Sequence, residues 1–554
     1  MRTSKSTLWK SAGPQWWFSL GLCVFVLLIL VRLIELQLIF GTSYRSSAEK
    51  TRSFDRDIIP ARGIFTDRNG AVLVRNEPIY LYPVQATEQK LFPEYVEIDR
   101  ETALAHASSD DPQERASVLV DQKRNYPYGE AIAHVLGYTT EPTQDDLSTM
   151  PNAHTKLRVG KYGLEKVLQQ QLAGTLGAVS LEIHASGKVL RTREVRKPMD
   201  GESIQLTLDA RLQQVAWDNL KDRIGTVIMS DPRTGEILVM VSSPGFDPNN
   251  IQPALLADHA PFLNRAVGVV YPPGSTFKMM TAYAGLTNNI TADEEYEDTG
   301  VLNVGAFSFG NWYYRQYGRT EGMVSMRKAL QRSNDIYFYR LGEAVGADAI
   351  AHSAALFGYG KPAGIELPGE KVGLIPTPQW KKETNGEGWY LGNTYHMAIG
   401  QGDVLVTPLQ IHQATSALAM NGKQCFPHIL RKLNGNGQIP AGACRDLEIN
   451  AEHIQVIRDG MTLACEKGGT GYPFFDEQPV KVACKTGTAE LGLTDEQGRR
   501  RTNAAFTVFA PFDAPRFAVT VYLEATEEKP FLEGSADAAP IAKAVVTKAV
   551  ELGY

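Results

Sequence analysis

The stretch Tyr271-Pro-Pro-Gly-Ser-Thr-Phe-Lys-Met-Met280 places two prolines and a glycine directly before a serine, with a lysine three residues on. Pro272, Pro273 and Gly274 cannot extend a helix backward, so the run KMMTAYAGL predicts a helix that begins near Ser275. Ser275 then sits at a helix N-terminus, where unpaired N–H groups and the positive dipole end favour developing negative charge. Lys278 falls one turn on, on the same face. A free serine is a poor nucleophile and needs a base within hydrogen-bond reach. A lysine can be that base only if burial or nearby positive charge lowers its pKa from about 10.4. The alternative is an ordinary helix-capping serine with a solvated lysine.

The spacing alone decides little, because Ser-x-x-Lys also occurs at Ser47/Lys50 and Ser325/Lys328. The first of these lies in the charged run SSAEKTR just past an apolar segment, and the second on an amphipathic helix with no rigid entry. Only Ser275 has the rigid lead-in.

The surrounding region has a clear texture. From about Leu206, LTLDARLQQVAWDNL reads as a strand and then an amphipathic helix, and TVIMSD-PRTG-EILVMVS as a hairpin around a Pro- and Gly-bearing turn. Far downstream, VKVACKTGTAE and NAAFTVFAPFDAPRFAVTVYLEA supply three more strands, and IAKAVVTKAVELGY a closing helix. Strands at both ends of a largely helical middle imply an antiparallel sheet built from distant segments with helices packed on it, an α+β domain over 206–554.

Two further stretches of this domain carry chemistry. In KALQRSNDIYFYRLG, Ser333 and Asp335 stand at the edge of an aromatic-rich helix and can offer a hydroxyl and a carboxylate to a cleft. In VKVACKTGTAELG, Lys485, Thr486, Gly487 and Thr488 continue a strand. Alternation turns Lys485 and Gly487 one way and Cys484, Thr486 and Thr488 the other, and Gly487 would let a substrate backbone approach closely.

Upstream, residues 50–205 read as β-rich and irregular: AVLVRN and SIQLTLD look like strands, and GKYGLEKVLQQQLAG like one helix between glycines. Nothing in this segment looks catalytic, and a scaffold or spacer is its plain reading. Before it, Trp16–Val31 (WWFSLGLCVFVLLILV) is almost wholly apolar and follows Arg2, Lys5 and Lys10. Length, aromatic edge and preceding cations fit a membrane anchor with a cytoplasmic N-terminus. A cleaved signal peptide would need a small-x-small site after the apolar run, whereas here the run continues as RLIELQLIF.

The formal charge of −6 comes from scattered residues, which sets nucleic-acid binding aside. The ten histidines show no paired spacing, and Cys425 with His428 is a lone Cys-x-x-His, so no metal is expected. Outside the cytoplasm, Cys425 and Cys444 could close a Gly-rich loop, contributing roughly 3 kcal/mol in the chain-entropy model, or remain free thiols.

Taken together and in that order, Ser275-x-x-Lys278, Ser333-x-Asp335 and Lys485-Thr486-Gly487 resemble the three active-site motifs of the penicillin-binding protein and serine β-lactamase superfamily. RGIFTDRNGAVLVRN, RNYPYGEAIAHVLGY, GKYGLEK, LTLDARLQ, SDPRTGEILVMVSSPGFDPN and LNRA look like successive blocks of class B penicillin-binding proteins. Asp335, where Asn is more usual, and the following IYFY look like the elongation type, penicillin-binding protein 2; FGYGKPAGIELPGE, IGQGDVLVTPLQ and MNG agree. Cys484 departs from the family's usual glycine; facing away from the cleft, it would pack or pair with Cys465.

The resemblance implies a cytoplasmic tail at 1–10, a transmembrane anchor and juxtamembrane helix at 11–40, a β-rich pedestal of the dimerisation type at 41–205 and a transpeptidase domain at 206–554. It implies an inner-membrane, single-pass protein whose catalytic domain is periplasmic, with no cofactor. Ser275 would attack the penultimate D-Ala of a peptidoglycan stem peptide while Lys278 takes its proton. The backbone N–H groups of Ser275 and Thr488 would hold the oxyanion. Ser333 would relay the proton to the leaving D-Ala and Asp335 would hold Lys278. Lys485, Thr486 and Thr488, beside Gly487, would bind the terminal carboxylate. β-Lactams would trap Ser275, and implied partners are a SEDS-family glycosyltransferase and other elongation-machinery proteins, met through the membrane helix and pedestal.

Rival readings are a division-type transpeptidase, a D,D-carboxypeptidase, a β-lactamase, a β-lactam sensor and an inactive scaffold. The Glu-x-x-Leu-Asn element of class A β-lactamases is absent, a sensor needs a cytoplasmic signalling domain, and every motif residue of an active enzyme is present.

Overall fold

The computed structural model describes residues 15–44, 53–84, 94–111, 114, 118–150, 154–155, 157–183, 189–433, 443–473, 475, 479–494 and 498–554. The expected cytoplasmic tail and the Ser47/Lys50 pair lie outside them. The chain divides into two compact units, one from 1–60, 79–121 and 175–199, the other from 61–78, 122–174 and 200–554.

In the first unit, Gln15–Ile34 is an α-helix that runs on as a π-helical turn, Glu35–Ile39. Its Trp16–Ile39 stretch of 24 residues is long and apolar enough to cross a bilayer, and none of it is buried. Ser53–Ile58, Gly177–Ile183 and Val189–Arg196 form an antiparallel three-stranded sheet. The helix Arg100–Ala107 starts at Asp99, whose carboxylate accepts the Thr102 N–H at 2.9 Å.

The second unit holds, in chain order, α1 (Ala210–Leu220), β1 (Gly225–Ser230), β2 (Ile237–Ser243), α2 (Lys278–Thr287), α3 (Met326–Arg332), α4 (Asp335–Leu356), α5 (Pro408–Ala419), α6 (Ala451–Cys465), β3 (Ala483–Thr494), β4 (Arg500–Ala510), β5 (Phe517–Leu523) and α7 (Ala539–Glu551). The five strands form one antiparallel sheet, as the sequence predicts, and the structure gives its order as β2-β1-β5-β4-β3. The β1–β2 turn is closed by the Gly235 N–H donating to the Asp231 carbonyl at 2.8 Å, with Gly235 at φ 83°. Every residue of β5 (FAVTVYL) is buried because both faces of the sheet are covered. Val519, Val521 and Leu523 enter the core that includes Leu212, Leu220, Val545 and Val546 of α1 and α7. Ala518 and Tyr522 point into the opposite, helical core. β3, the strand carrying Lys485, ends up at the sheet's edge.

The second unit begins well before Leu206, because Phe65–Thr66 pairs in parallel with Ile204–Gln205 and antiparallel with Val72–Val74. Residues 160–174 differ from the single helix expected: two short helices, Gly163–Val167 and Gln169–Ala173, meet at Leu168, where φ −103° and ψ 22° break the run. Sequence periodicity also gave no sign of the small ladders pairing Tyr296–Asp298 with Gly322–Val324 and Val301–Val304 with Phe307–Gly310. These strands are three or four residues long, too short for a pattern to register.

Candidate active site

The rigid lead-in is anchored by the sheet. The Tyr271 ring stacks on Tyr522 with centroids 4.4 Å apart, and the Tyr522 hydroxyl donates to the Pro272 carbonyl at 3.0 Å. The Tyr271 hydroxyl donates to Glu524, which also accepts from Arg265 Nε at 2.7 Å. Burial, then the Glu524 charge, push the Tyr271 phenol up, so it stays protonated.

Gly274 has φ +54°, donates its N–H to the Gly400 carbonyl at 2.9 Å, and has no room for a side chain. A Cβ there would lie 2.7 Å from the Thr488 carbonyl oxygen. The backbone at Gly274–Ser275 and that at Thr488 are therefore neighbours. The predicted helix start is present in two steps, a 3₁₀ turn over Gly274–Phe277 and then α2 from Lys278.

Lys278 is fully buried and has three acceptors around Nζ: the Ser333 carbonyl at 2.7 Å, Ser333 Oγ at 3.3 Å and Asp335 Oδ1 at 2.7 Å. The second lysine, Lys485, is equally buried and donates to Ser333 Oγ at 2.9 Å and the Thr486 carbonyl at 3.0 Å. One hydroxyl thus touches both ammonium groups. Loss of water pushes the Lys278 pKa down, with Asp335 opposing. Burial, then the charge of Lys278, push Lys485 well down, again against Asp335.

Ser333 ends α3 in the left-handed region at φ 52°, a conformation that costs a non-glycine residue energy and clusters at functional sites. Asp335 opens α4 immediately after it. Its Oδ2 accepts the Trp312 N–H at 3.0 Å, and its own N–H donates to Asn311 Oδ1 at 3.2 Å. Asn334, between them, turns away and caps α4 by accepting the Tyr337 N–H at 2.9 Å.

Along β3 the expected alternation holds. Thr486 Oγ1 donates to Thr470 Oγ1 at 2.8 Å, Thr488 Oγ1 accepts from the Gly534 N–H at 3.4 Å, and Cys484 is joined to Cys465 in a disulfide. Gly487 faces the Lys485 side, where the turn carrying Ser275 occupies the space. A Cβ on it would stand 3.1 Å from both the Pro273 carbonyl oxygen and Thr276 Cγ2. The close approach that the glycine permits is that of the protein's own backbone.

The fold thus joins Lys278, Ser333, Asp335 and Lys485 by side-chain hydrogen bonds from α2, the α3–α4 junction and the edge strand, sets the 3₁₀ turn carrying Ser275 against the backbone of Gly487 and Thr488, and leaves Thr486 bonded to Thr470. It leaves Ser325 and Lys328 apart, with Lys328 donating to the Glu321 carbonyl at 3.2 Å. Cys425 is joined to Cys444, so its thiol is engaged there rather than with His428. Sequence reasoning passed over Asn311, Trp312 and Gly400. The last carries the clearest signal, a glycine at φ +71° whose Cβ would meet Gly274 O and Phe277 Cβ.

Two family models match the chain: the Penicillin binding protein transpeptidase domain over residues 225–547, and the Penicillin-binding Protein dimerisation domain over residues 97–206. The peptidoglycan D,D-transpeptidase MrdA of Acinetobacter baumannii is 32% identical over 92% of this chain and 84% of its own. Among solved structures, the Helicobacter pylori penicillin-binding protein PBP2 in complex with MreC superposes with TM-score 0.74 at 28% identity, covering 91% of this chain and 99% of that one. A structure described as the coordination of polymerization and crosslinking by a peptidoglycan synthase complex gives TM-score 0.77 at 26% identity, covering 97% and 98%. By its three gathered motifs and by these matches, the chain belongs to the penicillin-binding protein transpeptidase family.

Proposed function

We propose that the protein is a serine-type peptidoglycan D,D-transpeptidase of cell elongation, which cross-links stem peptides through an acyl-enzyme and releases D-Ala. The observation that carries the reading is the buried Lys278–Ser333–Lys485 chain, in which one hydroxyl lies between two lysines of lowered pKa. Ser275 attacks the penultimate D-Ala carbonyl, and Lys278, one turn behind it, takes the hydroxyl proton. The charge that develops on the carbonyl oxygen is met by the backbone N–H groups of Ser275 and Thr488, whose chain segments lie together. Ser333 passes the proton on to the leaving D-Ala, and Asp335 holds Lys278. Lys485, with Thr486, Thr488 and the strand backbone at Gly487, receives the terminal carboxylate. The amine of a second stem then attacks the acyl-enzyme. A β-lactam presents the same amide-and-carboxylate pattern and leaves Ser275 acylated.

The exposed apolar helix supports an inner-membrane anchor, here assigned an N-in topology with a tail at 1–10, the anchor at 11–40, a pedestal at 41–205 and a periplasmic transpeptidase domain at 206–554. Complexes of the structural neighbours with MreC and within a peptidoglycan synthase support elongation-machinery partners, including a SEDS-family glycosyltransferase, engaged through helix and pedestal.

The test uses the full chain in detergent with a fluorescent penicillin. Stable covalent labelling that Ser275→Ala abolishes is expected. Folded wild-type protein that takes no label would end the acyl-transfer reading, and rapid release of the label would make the protein a hydrolase.

A further inference from the structure

Behind the Ser333–Asp335 segment lies a buried carboxylate that the proposed chemistry does not use. Asp298 is 3% exposed, at the end of the short strand Tyr296–Asp298. Its Oδ1 accepts the Gly300 N–H at 2.9 Å; its Oδ2 accepts Asn311 Nδ2 at 2.9 Å, the Glu321 N–H at 3.0 Å and Asn334 Nδ2 at 3.0 Å. Among the described residues no lysine, arginine or histidine pairs with it. A charge so buried and met only by neutral donors is costly to keep unless those donors are held in place for a reason.

The two side-chain amides supply that reason. Asn311 and Asn334 are both fully buried, and each could present either its oxygen or its NH₂ in a given direction. Because Asp298 can only accept, it draws both NH₂ groups to itself and leaves both oxygens pointing the other way. Those oxygens are the ones that start α4: Asn311 Oδ1 accepts the Asp335 N–H, and Asn334 Oδ1 accepts the Tyr337 N–H. Asp335 in turn holds Lys278 Nζ. Glu321 reinforces the arrangement, accepting Asn334 Nδ2 at 3.1 Å while Arg332 donates to its other oxygen.

We infer that Asp298 is a positioning residue for acylation, acting through Asn311 and Asn334 to fix the turn that presents Ser333 and Asp335 to Lys278. The inference rests on the acyl-transfer reading above. An asparagine at 298 keeps the shape but carries one NH₂, which must face either the Gly300 N–H or the Asn311, Asn334 and Glu321 donors, so a donor is set against a donor and the net that orients the two amides toward α4 is weakened. Lys278 is faced by Asp335 and Ser333 from the α3–α4 junction, Lys485 from β3 and the Phe338 ring at 5.5 Å. Of these, only the Asp335 carboxylate raises its pKa. Loosening Asp335 therefore leaves Lys278 easier to deprotonate but worse placed.

Full-length Asp298→Asn, acylated by a fluorescent penicillin at saturating concentration across pH 5.5–9, should react roughly 10-fold or more slowly. Its acid limb should move to lower pH, with little change in the penicillin concentration giving half-maximal rate. Asn311→Ala removes a single acceptor from Asp335 N–H and should show the same pattern more weakly, which covers the case in which Asp298→Asn does not fold. Wild-type protein that fails to label would sink the acyl-transfer reading instead. Wild-type rate and pH profile in the folded fraction of both variants would overturn the role of Asp298.

Discussion

Two buried clusters in the larger unit have the same charge count and different cations. In one, the Glu165 carboxylate, fully buried, lies between Arg62 at 2.6 Å and Arg124 at 2.8 Å. In the other, Asp335 lies against Lys278 at 2.7 Å, with Lys485 joined through Ser333 Oγ. Each has two cations, one carboxylate and one hydroxyl, that of Tyr126 or of Ser333. An arginine keeps its proton in any protein environment and spreads five donors in a fork, and Arg62 spends the rest of its fork on Arg158 O and Gln169 Oε1. A lysine loses its proton when burial is severe enough. Burial raises the Glu165 carboxyl, but its two arginines together hold it below the ordinary range. In the other cluster burial wins and both lysines are lowered. The type of cation, more than the charge count, separates a clamp from a relay.

The sharpest way to break the comparison is to put the clamp's cation into the relay. Lys278→Arg keeps the charge against Asp335 but cannot accept a proton, so acylation by a fluorescent penicillin should fall by about 10³-fold or more while the protein stays folded. Labelling near the wild-type rate would mean that Lys278 is not the base.

Next in size is the loss of the clamp's carboxylate. Glu165→Ala leaves two buried arginines without their carboxylate and should cost about 3–5 kcal/mol of stability, read by urea denaturation of the full chain. Its pH dependence distinguishes the clusters further. Glu165 has a folded pKa below its ordinary 4.5, so its stabilisation is present above that value and is lost as pH falls through the folded one. The lysines have folded pKa values below 10.5, so between those values and 10.5 the unfolded chain binds more protons, and stability rises with pH there. Glu165→Ala should flatten the acid slope alone, and Lys278→Arg part of the alkaline slope alone. A variant that changes the other window would show the clusters to be coupled.

How visible these clusters were beforehand follows the same division. The relay was legible because its residues sit in short motifs with a mechanical reason: prolines that force a helix start, a strand with a lysine and a glycine, an Asp two residues after a Ser. The five-stranded sheet was legible because β1, β2, β4 and β5 are long apolar runs, and the hairpin turn has its glycine in place. The clamp was not, since Arg62, Arg124 and Glu165 lie 41 to 103 residues apart and look like solvated charges until Phe65–Thr66 pairs with Ile204–Gln205. Asp298 was hidden for the same reason, its partners Asn311, Glu321 and Asn334 being up to 36 residues away. Gly487 was expected to admit a substrate backbone, and the structure sets the protein's own turn at Pro273–Thr276 against it; a single strand cannot say which backbone approaches.

The hydroxyls give the smallest and most discriminating contrast. Burial, then Glu165, push the Tyr126 phenol up, so it stays protonated, and it donates to a carboxylate already held by two arginines, at 3.3 Å. Tyr126→Phe should therefore cost about 1 kcal/mol of stability and leave the acylation rate of folded protein unchanged. The Ser333 hydroxyl accepts from both lysines, Lys278 at 3.3 Å and Lys485 at 2.9 Å, and is the one group that joins them, so its cluster depends on it in a way the clamp does not depend on Tyr126. If Tyr126→Phe slowed acylation without a matching loss of stability, the clamp would be transmitting to the relay, and the separation drawn between an arginine site and a lysine site would fail at its weakest contact.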